Sequence, residues 1–353
     1  MKSLLKKILP RWLKDLILKT IKLPGLVLSP MFKSSQFLAS FYYAFFSSQL
    51  SREHKAVLAG KAAYQQSLKD IGETSVLLRR NIHRLEKGLI MQPRRDVFAE
   101  NFIGETVKIY QRAIKLNSLN PEEKKWVTDV LVEYFKVVRD TKTIAKARQA
   151  FNQVLNETKE EEKYIPYPFD SLPKTDIQYE ALKKLFIKRR SVRWYQDKEV
   201  PSELIEKAVN LATLAPSACN RQPYSFYVSQ NKEKAVQIAK CAGGTPGWAE
   251  NIPCIIVIVG DLSAYPGERD RHLIYIDGSL AAMQLMLAFE TLGLSTCSIN
   301  WPDVEAAEQK LEKLLELKPY ERPIMLLSVG FAQDKGGIPY SQKKDAQVLI
   351  KKV

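Results

Sequence analysis

Apolar positions recur at helical spacing at the start of the chain: Leu4, Leu5, Ile8, Leu9, Trp12, Leu13, Leu16, Ile17 and Ile21, with Lys6, Lys7, Arg11 and Lys14 mainly on the other side. Pro24-Gly25 ends the predicted helix. A second apolar stretch, residues 34–48, holds Phe37, Leu38, Phe41, Tyr42, Tyr43, Phe45 and Phe46. It is too short and too rich in serine to span a bilayer. From Arg52 to Glu157 the pattern stays helical. Asn120-Pro121-Glu122-Glu123 predicts a helix start, with proline in the first turn and acids at the positive dipole end. Trp126, Val127, Val130, Leu131, Tyr134, Phe135 and Val138 then form one stripe, and a further helix is expected over 143–156. Residues 158–175, with runs of charge and Pro166, Pro168 and Pro173, read as a linker.

Beyond the linker the pattern alternates. Helices are predicted over 178–188, over 202–214 with Ser202 as N-cap, over 275–292 ending at Gly293, and over 304–317. Strands are predicted at Tyr224–Ser229, Ser295–Ile299 and Ile324–Val329, with a terminal one over 347–350. The β-branched run Cys254–Val259 is the best central strand. The chain therefore divides into a basic amphipathic segment (1–50), a helical domain (51–157), the linker (158–175) and an α+β domain (176–353).

Charge sharpens the first segment. The net charge is +15, and residues 1–50 carry eight basic side chains against Asp15 alone. A basic amphipathic helix with a tryptophan suits an anionic membrane surface; a solvated basic tail is the plainer alternative. Charges interrupt any signal-peptide core. Cys219, Cys241, Cys254 and Cys297 form no CxxC pair, and His54, His83 and His272 are far apart. Neither a disulfide framework nor a zinc site is expected, and a reducing cytoplasm fits.

Three polar runs carry candidate chemistry. Arg79, Arg80, His83, Arg84, Glu86 and Lys87, followed by Arg94 and Arg95, either bind an anion or complement a helix end, with Gly88 as its C-cap. The second reading is favoured. Arg189-Arg190-Ser191-Val192-Arg193 follows a helix, and three guanidiniums and a hydroxyl make a phosphate clamp. Alone, such a run is usually a solvated face. The loop Ala215–Tyr224 joins a helix to a strand; its small residues admit a flat ligand, and Ser217, Asn220 and Gln222 offer polar groups to its edge.

Taken together, the last two runs resemble the FMN-dependent nitroreductase family, in which RRSxR precedes a PSxxNxQP loop. Glu250-Asn251-Ile252-Pro253 before the central strand, the helix from Asp277 to Gln284 running into Leu292-Gly293-Leu294, and the strand Pro323–Gly330 agree with it. The resemblance covers about residues 180–350. It implies an α+β nitroreductase-like fold, with a mixed or antiparallel sheet flanked by helices and preceded here by the helical domain. It also implies a homodimer holding FMN at its interface. Arg189, Arg190, Ser191 and Arg193 would hold the phosphate and ribityl chain. Pro216, Ser217, Asn220 and Gln222 would serve the ring from the partner's side, and Ser298, Ile299 and Asn300 would line it. Lys343 or Lys344 would close on the phosphate. No protein acid–base residue is expected, since the chemistry belongs to the flavin N5. NADH or NADPH and a small-molecule acceptor would use one slot in turn.

Some features depart from the family pattern. The stretch Leu262–Arg271, where many members build a lid, is short and charged; no GxGxxG is present; and the helical extension is additional. Extended members resemble ones encoded near surface-polysaccharide genes, which implies a membrane-proximal substrate at the inner face. Cys219 reads as a packed residue rather than a nucleophile. Two other readings are weighed: a non-enzymatic membrane-associated assembly module with a degenerate flavin domain, and a nucleic-acid binder suggested by the pI near 9.4. The interleaving of basic with aliphatic positions argues against nucleic acid.

Overall fold

The computed structural model describes residues 32–69, 71–155 and 162–353, so the helix expected over 4–21 lies outside the described residues. Two compact units are distinguished, Met1–Lys55 and Ala56–Val353. In the first unit, α1 (Gln36–Phe45) starts at Ser35, whose side chain accepts from Leu38 N–H, and it buries none of its residues. Its rings lie against one another, Phe41 and Phe45 with centroids 4.6 Å apart.

The helical part of the second unit comprises α2 (Ser51–Ser67) from Ala56 onward, α3 (Val76–Leu89), α4 (Ile103–Leu116), α5 (Pro121–Val137) and α6 (Lys142–Asn152). Side-chain oxygens of Ser75, Asn120 and Thr141 cap α3, α5 and α6, satisfying amides that the helices leave open. The stripe predicted on α5 is buried: Val127, Val130, Leu131 and Tyr134 close on Leu78, Ile82 and Leu85 of α3 and Val107 and Tyr110 of α4. The last helix ends at Asn152, short of the expected Asn156. Gly88 is not a left-handed cap, as expected, but lies within α3, whose C-cap is Ile90. A β-carbon there would sit 2.4 Å from the Phe98 ring, so the glycine permits close packing.

The α+β part follows as α7 (Tyr179–Lys188), α8 (Ser202–Ala212), β1 (Tyr224–Ser229), α9 (Lys232–Ala239), β2 (Cys254–Asp261), α10 (Leu273–Thr291), β3 (Ser295–Asn300), α11 (Glu305–Leu315), β4 (Glu321–Gly330) and α12 (Ala346–Leu349). The sheet order is β1-β2-β4-β3, and every strand pair is antiparallel. β2 is central and buried over Cys254–Gly260 because both its faces are covered. Ile255, Val257 and Val259 pack under α9 and α11, while Cys254, Ile256 and Ile258 pack under α8 and α10. Each such side chain contributes on the order of 1.5–3 kcal/mol of burial.

Two local expectations fail. Ser202 does not cap α8; its N-cap is Pro201, and the serine hydroxyl turns instead to Gln230 Oε1 at 3.1 Å. Residues 347–350 form no strand: Ala346–Leu349 is a single exposed helical turn that does not pair with the sheet. Among the described residues one helix, Glu268–Thr291, is long and apolar enough to cross a membrane. It contains α10, which packs against the sheet and α8.

Candidate functional site

The Arg189–Arg193 run begins where α7 ends. Arg189 is the C-cap residue, and an isolated parallel bridge then joins Ser191 to Thr296, with Val192 N–H donating to Thr296 O at 3.0 Å. The run thus extends the free edge of β3. Arg189 Nε is buried without a hydrogen-bond partner. Arg193 donates to Ser191 O at 3.3 Å, and its guanidinium lies 5.8 Å from the Trp248 ring centre. Beneath them, burial pushes the Glu290 carboxyl up from its usual range, against the pull of Lys188 and Arg189. Burial likewise raises the Cys297 thiol, against Arg193, Ser191 and Arg189. Arg189, Arg190 and Arg193 form no ion pair with a carboxylate among the described residues. The corner therefore carries cations whose donors are not fully used, which fits a bound phosphate.

The neighbouring β3 residues divide by strand alternation. Ile299 belongs to the apolar layer under α9 and α11, so its side chain is not free to line a ring as expected, while Ser298 and Asn300 are exposed. Lys343 and Lys344 lie on an exposed tail, and their side chains make no hydrogen bond or ion pair among the described residues.

The second run, Ala215–Pro223, leads into β1 at the opposite edge. Three of its residues, Cys219, Asn220 and Gln222, hold positive φ near +50°, a conformation costly for side-chain-bearing residues. Hydrogen bonds hold it there. The Ser217 hydroxyl donates to Asp277 Oδ2 at 2.7 Å, Ala218 N–H donates to the same oxygen at 2.9 Å, and Gln222 N–H donates to Ser217 Oγ at 2.8 Å. Asp277 is buried on α10. Pro216 is exposed, and Gln222 Nε2 donates to Thr213 O at 2.8 Å.

The helical extension also reaches this loop. Arg79 of α3 donates from Nε to Asn220 O at 2.9 Å, from Nη2 to Gln222 Oε1 at 3.0 Å, and from Nη1 to Glu123 Oε2 at 2.9 Å. Glu123 also accepts from Thr74 Oγ1 and Ser75 N–H. Arg79, Glu123 and Asp277 are site residues that local sequence reasoning missed. Arg79 belonged to a run read as a charged helix end, and Glu123 was read only as a dipole partner. Arg84 and Arg269 lie close enough to Cys219 for their charges to interact with it. Over the short stretch Leu262–Arg271, α2 takes up the space: Ala56 and Val57 pack with Leu262, Ala264, Tyr265 and Ile274, and Lys61 pairs with Glu268 at 3.2 Å. Among the described residues no histidine, cysteine or carboxylate cluster forms a metal site.

Comparison with known proteins gives a family model described as the nitroreductase family, matched over residues 187–246 and 230–331. A protein of Archaeoglobus fulgidus, provisionally named NADH dehydrogenase/NAD(P)H nitroreductase, is 32% identical over 161 residues, covering 44% of this chain and 87% of that one. The FMN reductase [NAD(P)H] of Bacillus subtilis is 29% identical over 161 residues, 41% of this chain and 64% of its own. The structure of an FMN-dependent nitroreductase from Clostridium difficile matches with a TM-score of 0.40 and 26% identity, over 44% of this chain and 91% of that one.

Proposed function

The chain belongs to the nitroreductase family, and from that premise we propose a homodimeric enzyme in which each active site is assembled from two copies of the chain. It is an oxidoreductase that uses FMN with NAD(P)H. The observation that carries the dimer reading is where one chain puts its two polar runs. Ser191 bridges to Thr296, and the register passes through Val329 to Cys254. The other run enters the sheet at Tyr224, opposite Gly260. The runs therefore occupy diagonal corners: about 19 Å apart across four strand spacings, counting the bridge from Ser191 to β3, and about 20 Å along six residues of β2. Two such corners from different copies can face one another; within one copy they cannot meet around one small ring.

The face of α10 away from the sheet supports the same reading. Ile276, Leu280 and Met283 are exposed there at helical spacing, on a helix whose other face is buried, as a self-complementary interface requires. Arg189, Arg190, Ser191 and Arg193 hold the phosphate end of FMN in this reading, and the exposed Ser298 and Asn300 flank it. Lys343 and Lys344 approach only if the exposed tail folds over. The loop Pro216–Gln222 presents its backbone to the ring from the partner. When bound, FMN supplies hydride and electron transfer; the chain supplies binding, orientation and shielding from water.

The acceptor in this reading is a small conjugated molecule, quinone-like or lipid-linked, and the enzyme acts at the cytoplasmic face of a membrane, in surface-polysaccharide synthesis. The first fifty residues, with their cationic excess, and the exposed Phe37, Phe41, Tyr43, Phe45 and Phe46 around α1 support membrane contact. The test is the absorbance spectrum of the purified protein, followed by anaerobic NADH or NADPH. Flavin bands that bleach with either donor are the expected result. A protein that stays colourless after FMN is added would sink the enzyme reading and favour the assembly-module alternative. A monomer at working concentration, with flavin fully bound, would sink the shared-site reading alone.

A further inference from the structure

The basic run on α3 does two separate things. Arg79 braces the loop, but Arg84 and Lys87, one and two turns on, line a cleft of about 350 Å³ shared with Arg95. That volume is at the lower end for small-molecule sites. Its other walls are apolar: Met91, Phe98 and Phe102. Gly88 forms part of the floor, where the missing side chain lets the Phe98 ring lie against the helix.

No carboxylate lines this cleft. Glu86, on the same helix, is taken by His83 at 3.3 Å and by Trp126 Nε1 at 2.8 Å. Glu105, the acid that acts on Arg84, accepts from Asn81 at 3.5 Å. Lys87 and Arg95 form no ion pair among the described residues. The Arg84 guanidinium is fixed, its centre 3.7 Å from the Phe102 ring centre and one nitrogen donating to Asn81 Oδ1 at 3.4 Å. Burial and, after it, the nearby Arg80 weaken its hold on its proton, against the pull of Cys219 and Glu105. The carbonyl end of α3 accounts for cations in its last turn, but that field fades beyond the turn and does not account for Arg95, which returns from the following loop.

We propose that this cleft binds a small soluble organic acid, its anionic group held by Lys87 and Arg95 and its apolar or aromatic body lying against Met91, Phe98 and Phe102. None of the cleft's residues belongs to the Arg189–Arg193 run, and the proposal does not rest on the flavin reading.

The test is calorimetric titration of the full-length protein with naphthalene-2-sulfonate and with the uncharged 2-naphthalenemethanol. The sulfonate binds once per chain and the alcohol does not. Lys87→Gln with Arg95→Gln weakens the sulfonate about tenfold or more, the loss expected for one or two charge-assisted hydrogen bonds. Both side chains are exposed, so the double variant keeps its fold, which its melting curve checks. Unchanged sulfonate affinity in the double variant, or equal binding of the alcohol, overturns the proposal. Phosphatidylglycerol vesicles that displace the sulfonate would reassign the cleft to a lipid headgroup and overturn the soluble-acid assignment. Because binding is read as heat, a protein lacking flavin would leave each outcome intact.

Discussion

In the loop 215–223 the polar groups are used by the chain itself: Ser217 and Ala218 on Asp277, the Asn220 carbonyl and the Gln222 amide on Arg79. In the run 189–193 they are left over: Arg189 Nε is buried without a partner, and none of the three guanidiniums meets a carboxylate among the described residues. The difference reflects what each segment must hold. Three residues at positive φ need internal hydrogen bonds before any ligand arrives, so the loop is preorganised. A phosphate brings its own acceptors, and donors already satisfied would have to be released to meet it.

The widest consequence is expected at the unsatisfied corner. Arg189→Ala with Arg193→Ala weakens FMN binding roughly a thousandfold, about 4 kcal/mol for two charge-assisted contacts, while the urea midpoint hardly moves. Titrating apoprotein with FMN by flavin fluorescence measures it; unchanged affinity would place the phosphate elsewhere. The loop behaves the other way. Asp277→Ala strands the Ser217 hydroxyl and the Ala218 amide and lowers folding stability by about 3 kcal/mol, read from urea unfolding, and Asp277→Asn recovers part of this. If stability is untouched and only flavin is lost, the contrast between the two segments breaks down.

A smaller effect sharpens the role of the extension. Arg79→Ala costs about 1–2 kcal/mol by the same measurement, and Arg79→Lys does not restore it, because an ammonium cannot match three acceptors with a planar fork. Rescue by lysine would reduce Arg79 to a point charge. The smallest effect is one of pH. Burial raises the Glu290 carboxyl above its unfolded value, so the folded state holds that proton more tightly. The associated stability is present below the unfolded pKa and is lost as pH rises through the folded one. The wild-type melting temperature should therefore decline across that window, and in Glu290→Gln the decline should flatten.

Much of the α+β half was legible because its signals are local. Tyr224–Ser229 needed only its β-propensity, and Cys254–Val259 only a β-branched run with no polar break. The two polar runs were legible as chemistry through a spacing shared with a family. What escaped was non-local. Nothing near Arg79 in sequence shows that its acceptors lie at Asn220 and Gln222, and nothing near Ser217 shows that its hydroxyl is committed to Asp277. Ser202 and Gly88 carried correct local statistics that tertiary packing overrode. Ile299 was placed by position in the motif, whereas strand alternation turns its side chain into the core.

Near its amino-terminal end α10 approaches the sheet closely at two glycine positions. A β-carbon at Gly278 would come within 2.4 Å of Ile324, and one at Gly260 within 2.7 Å of Ile274. Asp277, the next residue along from Gly278, inherits this fixed seat. The helix is therefore seated most tightly just where Asp277 sits, so whatever covers the outer stripe of Ile276, Leu280 and Met283 bears on the turn that carries the carboxylate keeping the loop bent.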